Sequence, residues 1–386
     1  MVGIKGLSLF ANVGVAEAYF QELGIEMLLA NELLPERARF YQELYPHAEM
    51  ICGDITNDEI RNSIVRKAID LGINFLIATP PCQGMSEAGN RDPDDERNQL
   101  IYYAIDVIKR LKPDYVLLEN VPRLLICHIR VDGELMLIPD YIKRELGNEY
   151  RFNAETLLAA KDCGVPQLRE RNIFLLVKKE KNIVWEFPPK EKEITLKDAI
   201  GSLPSLDPLL REGLELTIEK FPQYVEKEKA GRAVSKWHRP PKHSWKQVEW
   251  MMRTPTGKSA IYNKRYFPQK PCGEPVVAHH NNYRRMKWDM PSRTITQNNG
   301  VISSLCCVHP GREYIENGET LYSDARALSI YEVMIVSSLP TDWQIPEWAN
   351  DTLIRKVIGE GIPPLMVKKV MQELLKQIQR GGKANG

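Results

Sequence analysis

The stretch Asn74–Gln83, with the sequence NFLIATPPCQ, leads from an apolar run through two prolines to a cysteine. We predict a buried strand over 74–79, because short apolar runs that end at turn-forming residues are typical of buried strands. Proline fixes φ and has no N–H to donate, so the strand has to end at Pro80. Cys82 then follows the carboxyl end of a strand, where open α/β sheets bind ligands. The alternative is a core thiol, since free cysteines are often buried.

Alternating strand and helix patterns extend from this stretch in both directions. Each short apolar run is separated from the next by a segment in which apolar residues have helical spacing. Such alternation predicts an α/β fold with a mostly parallel sheet and helices on both faces. The predicted strands are 6–11, 26–31, 49–52, 74–79 and 114–118, and the helical patterns end near Leu23, Tyr45, Leu71 and Leu111.

The character of the sequence changes after about residue 178. Residues 178–192 are charged and interrupted by two prolines, and 200–290 contain many prolines with little regular periodicity. This part is either a second domain with irregular structure or a long linker, and its aromatic residues argue against disorder. A helical pattern returns at 362–378. We predict an α/β domain over 1–180, a smaller domain over 181–345, and a C-terminal segment over 346–386 that returns to the first domain.

Composition narrows the class of protein. The 386 residues are 43% hydrophobic and 27% charged, which is ordinary for a globular chain and enough for two domains. No apolar run approaches the ~20 residues of a membrane span, and the N-terminus lacks the pattern of a signal peptide. The seven cysteines include no CxxC pair. We therefore expect a cytoplasmic, reduced protein without structural zinc or another metal site.

The net charge of +1 conceals a basic segment, which we define as residues 220–288. This basic segment holds sixteen Lys and Arg against four Asp and Glu, with Trp, Tyr and His residues between them. Cations interleaved with aromatic side chains suit phosphate contacts and base stacking, so the basic segment is a candidate nucleic-acid surface. A solvated basic surface without a partner is the alternative.

Three carboxylates directly follow predicted strands: Glu32, Asp54 and Glu119. The carboxyl ends of parallel strands share one edge of the sheet, so we expect these side chains and Cys82 to form one site. A carboxylate after the second strand is placed to accept hydrogen bonds from ribose hydroxyls. The turn after the first strand has one well-placed glycine, Gly14, instead of a GxGxxG cradle, which favours a nucleoside cofactor without a diphosphate.

Short motifs along nearly the whole chain resemble those of the DNA (cytosine-5) methyltransferases. Each motif alone is short, and the resemblance rests on their number and on their order. It implies an AdoMet-dependent methyltransferase fold, which is Rossmann-like and mostly parallel, with a smaller, irregular DNA-recognition domain. In chain order the motifs are Phe10–Gly14 (FANVG), Asn31–Glu32 (NE), Gly53–Ile55 (GDI), Pro80–Gln83 (PPCQ), Glu119–Val121 (ENV), Gln167–Arg171 (QLRER), Pro291–Thr296 (PSRTIT) and Ile358–Pro364 (IGEGIPP).

The resemblance implies S-adenosyl-L-methionine (AdoMet) as the cofactor and double-stranded DNA as the substrate. The region that reads the DNA sequence would be about 180–290, which contains the whole basic segment. The resemblance also implies a prokaryotic modification enzyme that is a monomer and shares its site with a cognate restriction endonuclease. The implied cofactor-binding residues are Phe10, Asn12, Gly14, Glu32, Leu33, Asp54, Ile55, Pro80 and Glu360.

The implied chemistry assigns catalytic roles to Cys82, Glu119, Arg169 and Arg171. Cytosine C5 is a poor nucleophile, and addition of the Cys82 thiolate to C6 turns the ring into an enamine that can take a methyl group at C5. Glu119, protonated or sharing a proton with N3, would stabilise the ring, which requires a carboxyl pKa raised by burial. Arg169 and Arg171 would point to one face of an extended segment and hold the base, a phosphate or Glu119. A surface ladder of ion pairs is the alternative for the two arginines.

The target cytosine must leave the duplex, because C5 and C6 are hidden by stacking. The polar stretch 84–97 follows Cys82 and is placed to close over a flipped base, and a plain surface loop is the alternative. The expected DNA-contacting residues are Gln83, Ser86, Arg97, Asn120 and Thr294.

Two positions near the expected cofactor depart from the family pattern. Asn12 stands where the first motif usually has a glycine, and Glu360 stands where the last motif usually has an asparagine. The expected catalytic positions are unaltered, so we expect activity. A tRNA cytosine-5 methyltransferase of the same fold and a catalytically silent DNA-binding relative are the alternatives.

Overall fold

The centre of the molecule is a mostly parallel sheet. The computed structural model describes residues 3–81 and 99–384. Each of the five parallel strands lies within two residues of a predicted strand, so those predictions are confirmed. The strands are β1 (Ile4–Leu9), β2 (Ile25–Glu32), β3 (Glu49–Cys52), β4 (Phe75–Ala78) and β5 (Tyr115–Asn120).

Three further strands complete the sheet beyond β5. Strand β11 (Glu170–Lys178) runs antiparallel to β5, and β8 (Tyr150–Phe152) and β9 (Leu157–Ala159) both pair with β11. The strand order is β3-β2-β1-β4-β5-β11-β8, with β9 beside this path. The chain order reverses between β1 and β4. Such a switch point opens a crevice at the carboxyl ends of the parallel strands.

Helices cover both faces of the sheet, because successive side chains of a strand point to opposite faces. In β4, Leu76 and Ala78 join the core on one face, whereas Phe75 and Ile77 join the core on the other. The second core also includes residues of the C-terminal helix, which confirms the helical pattern predicted over 362–378. The helices of this part are α1 (Pro35–Leu44), α2 (Asp58–Asp70), α3 (Leu100–Leu111), α4 (Ile138–Leu146) and α11 (Pro364–Ala384).

The connection between β1 and β2 differs from its prediction. The expected helix through Leu23 is wrong, because residues 12–20 form turns and only Gln21–Leu23 is a short 3-10 helix. Most residues from Ala11 to Glu17 are buried. The segment is packed on several sides and has no solvent-facing stripe, which an amphipathic surface helix would need.

The region beyond the sheet is ordered around an apolar core of its own. Trp250, Met251 and Val308 lie in this core, and the buried Arg285 donates hydrogen bonds to the main-chain oxygens of Met251, His309 and Tyr322. The limits 181–345 predicted for a smaller domain stay a prediction. Its elements include α5 (Leu196–Ile200), β12 (Leu209–Leu210), α6 (Leu214–Lys220), α7 (Tyr224–Val234), β13 (Lys242–His243), α8 (Trp245–Met252), β15 (Glu313–Glu316), β16 (Glu319–Tyr322) and α9 (Ile330–Val336).

The later part of the chain returns to the crevice. Strand β10 (Gln167–Leu168) pairs in parallel with β14 (Ser292–Arg293). A further apolar cluster joins Val13 and Phe40, near β1 and in α1, to residues of α9 and of α10 (Asp351–Glu360). A separate hairpin consists of β6 (His128–Val131) and β7 (Glu134–Leu137). Within the ranges that the structure describes, no helix has the length and apolar character needed to cross a membrane.

Candidate active site

The ends of β4 and β5 are tied together at the crevice. The side-chain amide of Asn120, at the end of β5, donates a hydrogen bond to the Pro80 carbonyl at 3.2 Å. Its oxygen accepts a hydrogen bond from the Val121 N–H at 2.8 Å. Asn120 is 4% exposed, and its expected contact with DNA stays a prediction. Cys82, Gln83, Ser86 and Arg97 lie outside the described residues.

Glu119 and Arg171 form a buried ion pair on the neighbouring strands β5 and β11. Arg171 Nε lies 2.7 Å from Glu119 Oε1, and both side chains are almost fully buried. Burial raises the pKa of Glu119, while the positive charges of Arg171 and then Arg169 oppose that increase. A carboxyl in this environment can hold or share a proton more readily than one in water, and the arginine keeps it in place.

Arg169 has different partners from Arg171. It lies between β10 and β11, is buried, and donates to the carbonyls of Ile295 (2.8 Å), Gly359 (3.1 Å) and Glu360 (3.1 Å). The expectation that both arginines point to one face assumed a continuous strand. Arg169 belongs to neither strand, because β10 ends at Leu168 and β11 begins at Glu170. The alternation of side chains along a strand therefore does not apply from Arg169 to Arg171.

Thr294 also makes a contact within the protein. Its hydroxyl donates to the Leu168 carbonyl at 3.0 Å, and the side chain is half-buried beside the β10–β14 pair. Arg169 and Thr294 therefore join the QLRER and PSRTIT motifs to each other. Their expected roles toward the base and the DNA stay predictions.

The turn after β1 has a backbone conformation that fits few residue types. Phe10 and Asn12 have φ values of 58° and 50°, and Gly14 has a φ of 77°. A Cβ atom at Gly14 would lie 2.1 Å from the Tyr45 ring, whose hydroxyl donates to the Gly14 carbonyl. This position requires glycine, both for its backbone conformation and for the close approach of the aromatic ring.

Asn12 connects three parts of the chain and leaves one acceptor unused. Its N–H donates to Glu32 Oε2 at 2.9 Å, and its amide nitrogen donates to the Val357 carbonyl of α10 at 3.1 Å. Its Oδ1 is buried without a hydrogen-bond partner in the described structure. A buried acceptor without a partner is costly, so it is a candidate to receive a hydrogen bond from a bound molecule.

Glu32 lies at the end of β2 with exposed groups beside it. Its Oε1 accepts a hydrogen bond from the Leu34 N–H at 3.0 Å, and burial raises its pKa, whereas main-chain donors and Arg37 lower it. Leu33 is 57% exposed, Asp54 is also exposed, and Ile55 is buried behind them. A carboxylate, an exposed apolar side chain and the Asn12 acceptor on one edge suit a nucleoside with polar and apolar faces.

Two charged residues near this edge have roles that sequence reasoning missed. Arg37, in the first turn of α1, pairs with Glu360 at the end of α10, with 2.6 Å between Nη2 and Oε2. Glu17 is 2% exposed and accepts a hydrogen bond from the Ser8 hydroxyl. Neither residue is part of a motif. A charged residue in a predicted helix normally indicates a solvated face, so no sequence signal would have found them.

Part of the basic segment is neutralised within the molecule. Several of its cations pair with acids that lie outside it in sequence: Lys227 with Asp207, Lys236 with Glu347, Arg239 with Asp351 and Arg253 with Glu319. By contrast, Arg284 and Arg293, the second of which lies in β14, have no acidic partner among the described residues. Both arginines act on His280: desolvation, and then the charges of His279, Arg284 and Arg293, lower the pKa of His280.

Comparisons with known proteins agree with this geometry. The model of the C-5 cytosine-specific DNA methylase family matches residues 4–376. The Type II methyltransferase M1.HgaI of Avibacterium volantium is 42% identical over 97% of this chain and 99% of its own. The Type II methyltransferase M.NgoPII of Neisseria gonorrhoeae is 26% identical over 98% of this chain and 97% of its own.

A solved structure shares the fold over the same length. It is a prophage-encoded chain of E. coli, proposed to be a DNA modification methyltransferase, with a TM-score of 0.66 and 20% identity. The alignment covers 97% of this chain and 99% of that one. The family match spans both the sheet and the region that carries the basic segment. This chain therefore belongs to the C-5 cytosine-specific DNA methylase family and is a DNA cytosine-5 methyltransferase.

Proposed function

We propose that the chain flips a cytosine out of double-stranded DNA and methylates it at C5, with Cys82 as nucleophile and AdoMet as methyl donor. The observation that carries this proposal is the buried Glu119–Arg171 pair at the end of β5. It lies one residue from Asn120, which holds the Pro80 carbonyl and so ties the pair to the turn that leads to Cys82. A carboxyl with a raised pKa beside the segment that leads to Cys82 suits addition to a cytosine ring.

AdoMet fits the groups at the ends of β1, β2 and β3. We assign Glu32 to the ribose hydroxyls, Leu33 and Asp54 to the adenine, and the unpartnered Asn12 Oδ1 to a donor of the methionine part. When bound, AdoMet supplies an electrophilic methyl group on a positively charged sulfur. Phe10, Gly14, Ile55 and Pro80 shape the pocket, and Glu360 lies at its side, two residues beyond the buried Ile358 of the same helix.

Cys82, four positions after the end of β4 in the sequence, starts the chemistry in this proposal. Its sulfur forms a bond to C6 of the base, and the ring electrons move toward C5 and N3. C5 would then take the methyl group that AdoMet supplies when bound, and the broken bond to sulfur would leave the donor as a neutral thioether. A base, for which we suggest a water molecule, removes the proton from C5, and the C6–S bond breaks to release Cys82.

Glu119 holds the proton that the ring needs during this addition. Burial raises the pKa of Glu119 and so favours its protonated form, and sharing that proton with N3 offsets the charge that develops on the ring. Arg171 orients the carboxyl and limits the increase in its pKa. Arg169 acts at a distance, by fixing the Ile295 and Gly359 segments behind the site.

The region around β14 supplies the DNA surface in this proposal. Arg293 lies in β14, which pairs with β10, and the charges of both Arg284 and Arg293 affect the pKa values of His280 and Cys306. Two arginines without an acidic partner among the described residues suit DNA phosphates. Gln83, Ser86 and Arg97 would contact the DNA from the stretch after Cys82. We further propose a cytoplasmic monomer that modifies a short site shared with a cognate restriction endonuclease.

The test is methylation of unmethylated genomic DNA with tritium-labelled AdoMet, followed by bisulfite mapping of 5-methylcytosine. A single short sequence enriched around the labelled cytosines is expected. Label in tRNA and none in DNA would overturn the proposal in favour of an RNA substrate.

Two substitutions test the catalytic assignment in the same assay. Cys82→Ser should abolish methylation and covalent trapping by DNA that contains 5-fluorocytosine, while affinity for DNA is kept. Glu119→Gln cannot donate a carboxyl proton, and we expect its kcat to fall by about 10²–10⁴-fold. Substantial methylation by Cys82→Ser would remove the residue from its role.

A further inference from the structure

Arg37 is a charged residue at the crevice that has no role in the proposed methylation chemistry. It lies in the first turn of α1, and its side chain is 13% exposed. Its guanidinium lies 2.6 Å from the carboxylate of Glu360, the last residue of α10. The pair therefore joins the helix that follows β2 to the helix that ends at the last motif.

The start of α1, which carries Arg37, is also connected to Glu32. Glu32 Oε1 accepts a hydrogen bond from the Leu34 N–H, and the Leu34 carbonyl accepts one from the Arg37 N–H at 3.0 Å. Burial raises the pKa of Glu32, and Arg37 is the charged residue that opposes this increase. The other charged groups at this edge are the exposed Asp54, which follows β3, and Glu360 from α10.

The neighbouring turn is held by the same elements. Asn12 donates both to Glu32 and to the Val357 carbonyl of α10. Glu32 thus has contacts with the β1 turn and the start of α1, and α10 contacts both of these. A change in the charge of Arg37 would reach Glu32 electrostatically. A change in its position would reach Glu32 through the Leu34 main chain and the β1 turn through α10.

We propose that Arg37 is a positioning residue for the methyl donor: it holds the start of α1 against α10 through Glu360 and favours the ionised form of Glu32. This inference rests on the proposed function of Glu32 as the acceptor for ribose hydroxyls. The negative charge of Glu360 offsets part of the positive charge of Arg37, so Glu360 weakens the effect of Arg37 on Glu32. Removing the charge of Arg37 and removing the charge of Glu360 should therefore change the proton affinity of Glu32 in opposite directions.

The test is the affinity of the full chain for AdoMet, measured by calorimetry without DNA between pH 5.5 and 8.5. For Arg37→Gln, Glu32 should hold its proton to a higher pH, and the dissociation constant at pH 6 should rise by about tenfold, with a smaller change at pH 8. Arg37→Lys should restore most of the affinity. Glu360→Gln should bind AdoMet with a weaker pH dependence than the unmodified protein.

The matched control is Arg39→Gln. Arg39 lies on the same helix, is largely exposed and pairs with Glu43, so its variant should bind AdoMet like the unmodified protein at every pH. If Arg37→Gln and Glu360→Gln weaken binding by the same factor at every pH, the role is only structural and the proposal is overturned. If Arg37→Gln does not fold, Arg37→Lys and Glu360→Gln decide the proposal: Arg37→Lys should keep the pH dependence of the unmodified protein, and Glu360→Gln should weaken it. A Glu360→Gln curve parallel to that of the unmodified protein would overturn the proposal. Failure of the unmodified protein to bind AdoMet would instead overturn the proposed function.

Discussion

At the scale of single residues, burial decides what each carboxyl near the crevice can do. Glu32 and Glu119 are both buried at strand ends, and desolvation raises the pKa of each while a nearby arginine opposes the increase. Their contacts separate their roles. Glu32 accepts hydrogen bonds from two main-chain N–H groups, which favour its ionised form, whereas Glu119 forms an ion pair with Arg171. The same residue type can therefore bind a cofactor at one strand and hold a proton at another.

Glu17 is a third buried carboxyl, and it makes stability depend on pH. Burial raises its pKa from 4.5 to about 7. Below pH 4.5 the folded and unfolded states both hold the proton. As the pH rises toward about 7, the unfolded state releases its proton first, so stability should fall over this window by up to about 3 kcal/mol.

Glu17→Gln should remove that dependence, because an amide has no proton to release and can still accept from Ser8. In urea denaturation, the variant should gain stability relative to the unmodified protein between pH 5 and pH 8. Glu26→Gln, at an exposed position on β2, is the control and should follow the unmodified protein. Parallel pH curves for Glu17→Gln and the unmodified protein would contradict the assignment.

At the scale of elements, the site depends on how closely α10 approaches the chain after β14. A Cβ atom on Gly359 would lie 2.2 Å from the Thr296 carbonyl oxygen and 2.7 Å from the Gln297 nitrogen. These are main-chain atoms, which cannot move aside as a flexible side chain could. The Gly359 carbonyl also receives a hydrogen bond from Arg169. Because Gly359 has no side chain, the PSRTIT and IGEGIPP motifs can pack against each other and both contact Arg169.

Gly359→Ala should therefore push α10 away from this segment. We expect a loss of about 1–3 kcal/mol of unfolding free energy, which is typical of overpacking, together with weaker AdoMet binding because Glu360 moves with the helix. Urea denaturation and calorimetry measure the two effects. Gly3→Ala is the control, since its Cβ would meet nothing within 4 Å. An unchanged denaturation midpoint for Gly359→Ala would show that the contact relaxes without cost.

At the scale of the whole molecule, folding redistributes the charge of the basic segment. Several of its cations pair with acids from other parts of the chain, and Arg285 is used to bind main-chain carbonyls in the interior. Arg284 of the basic segment, and Arg293 in β14 beyond it, have no acidic partner among the described residues. The local excess of basic residues in the sequence therefore overstates the charge available to DNA.

Arg284→Gln should lower the affinity for duplex DNA and reduce the slope of log affinity against log salt by about 1, because one phosphate contact is lost. The matched control is Arg253→Gln, whose guanidinium already binds Glu319 through two nitrogens at 2.8 and 3.1 Å. Its salt slope should stay unchanged. Fluorescence anisotropy over a range of salt concentrations gives both values. Equal slopes for the two variants would contradict a DNA-facing Arg284.

The sequence by itself determined the class of fold, the five parallel strands and the family. These follow from local patterns: apolar runs, helical spacing, and prolines or acids at strand ends, all of which depend on near neighbours in the chain. For the region after residue 178, the sequence left two alternatives open, a second domain and a linker. The core of this region is assembled from short elements without clear periodicity, so no local pattern identified it.

Only the tertiary structure decided which side chains meet. It separated Arg171, which pairs with Glu119, from Arg169, which binds the carbonyls of residues 295, 359 and 360. It also brought Arg37 to Glu360, more than three hundred positions away in the chain. Contacts of this kind depend on how helices and sheet pack together, and packing is a property of the whole fold that no short stretch of sequence contains.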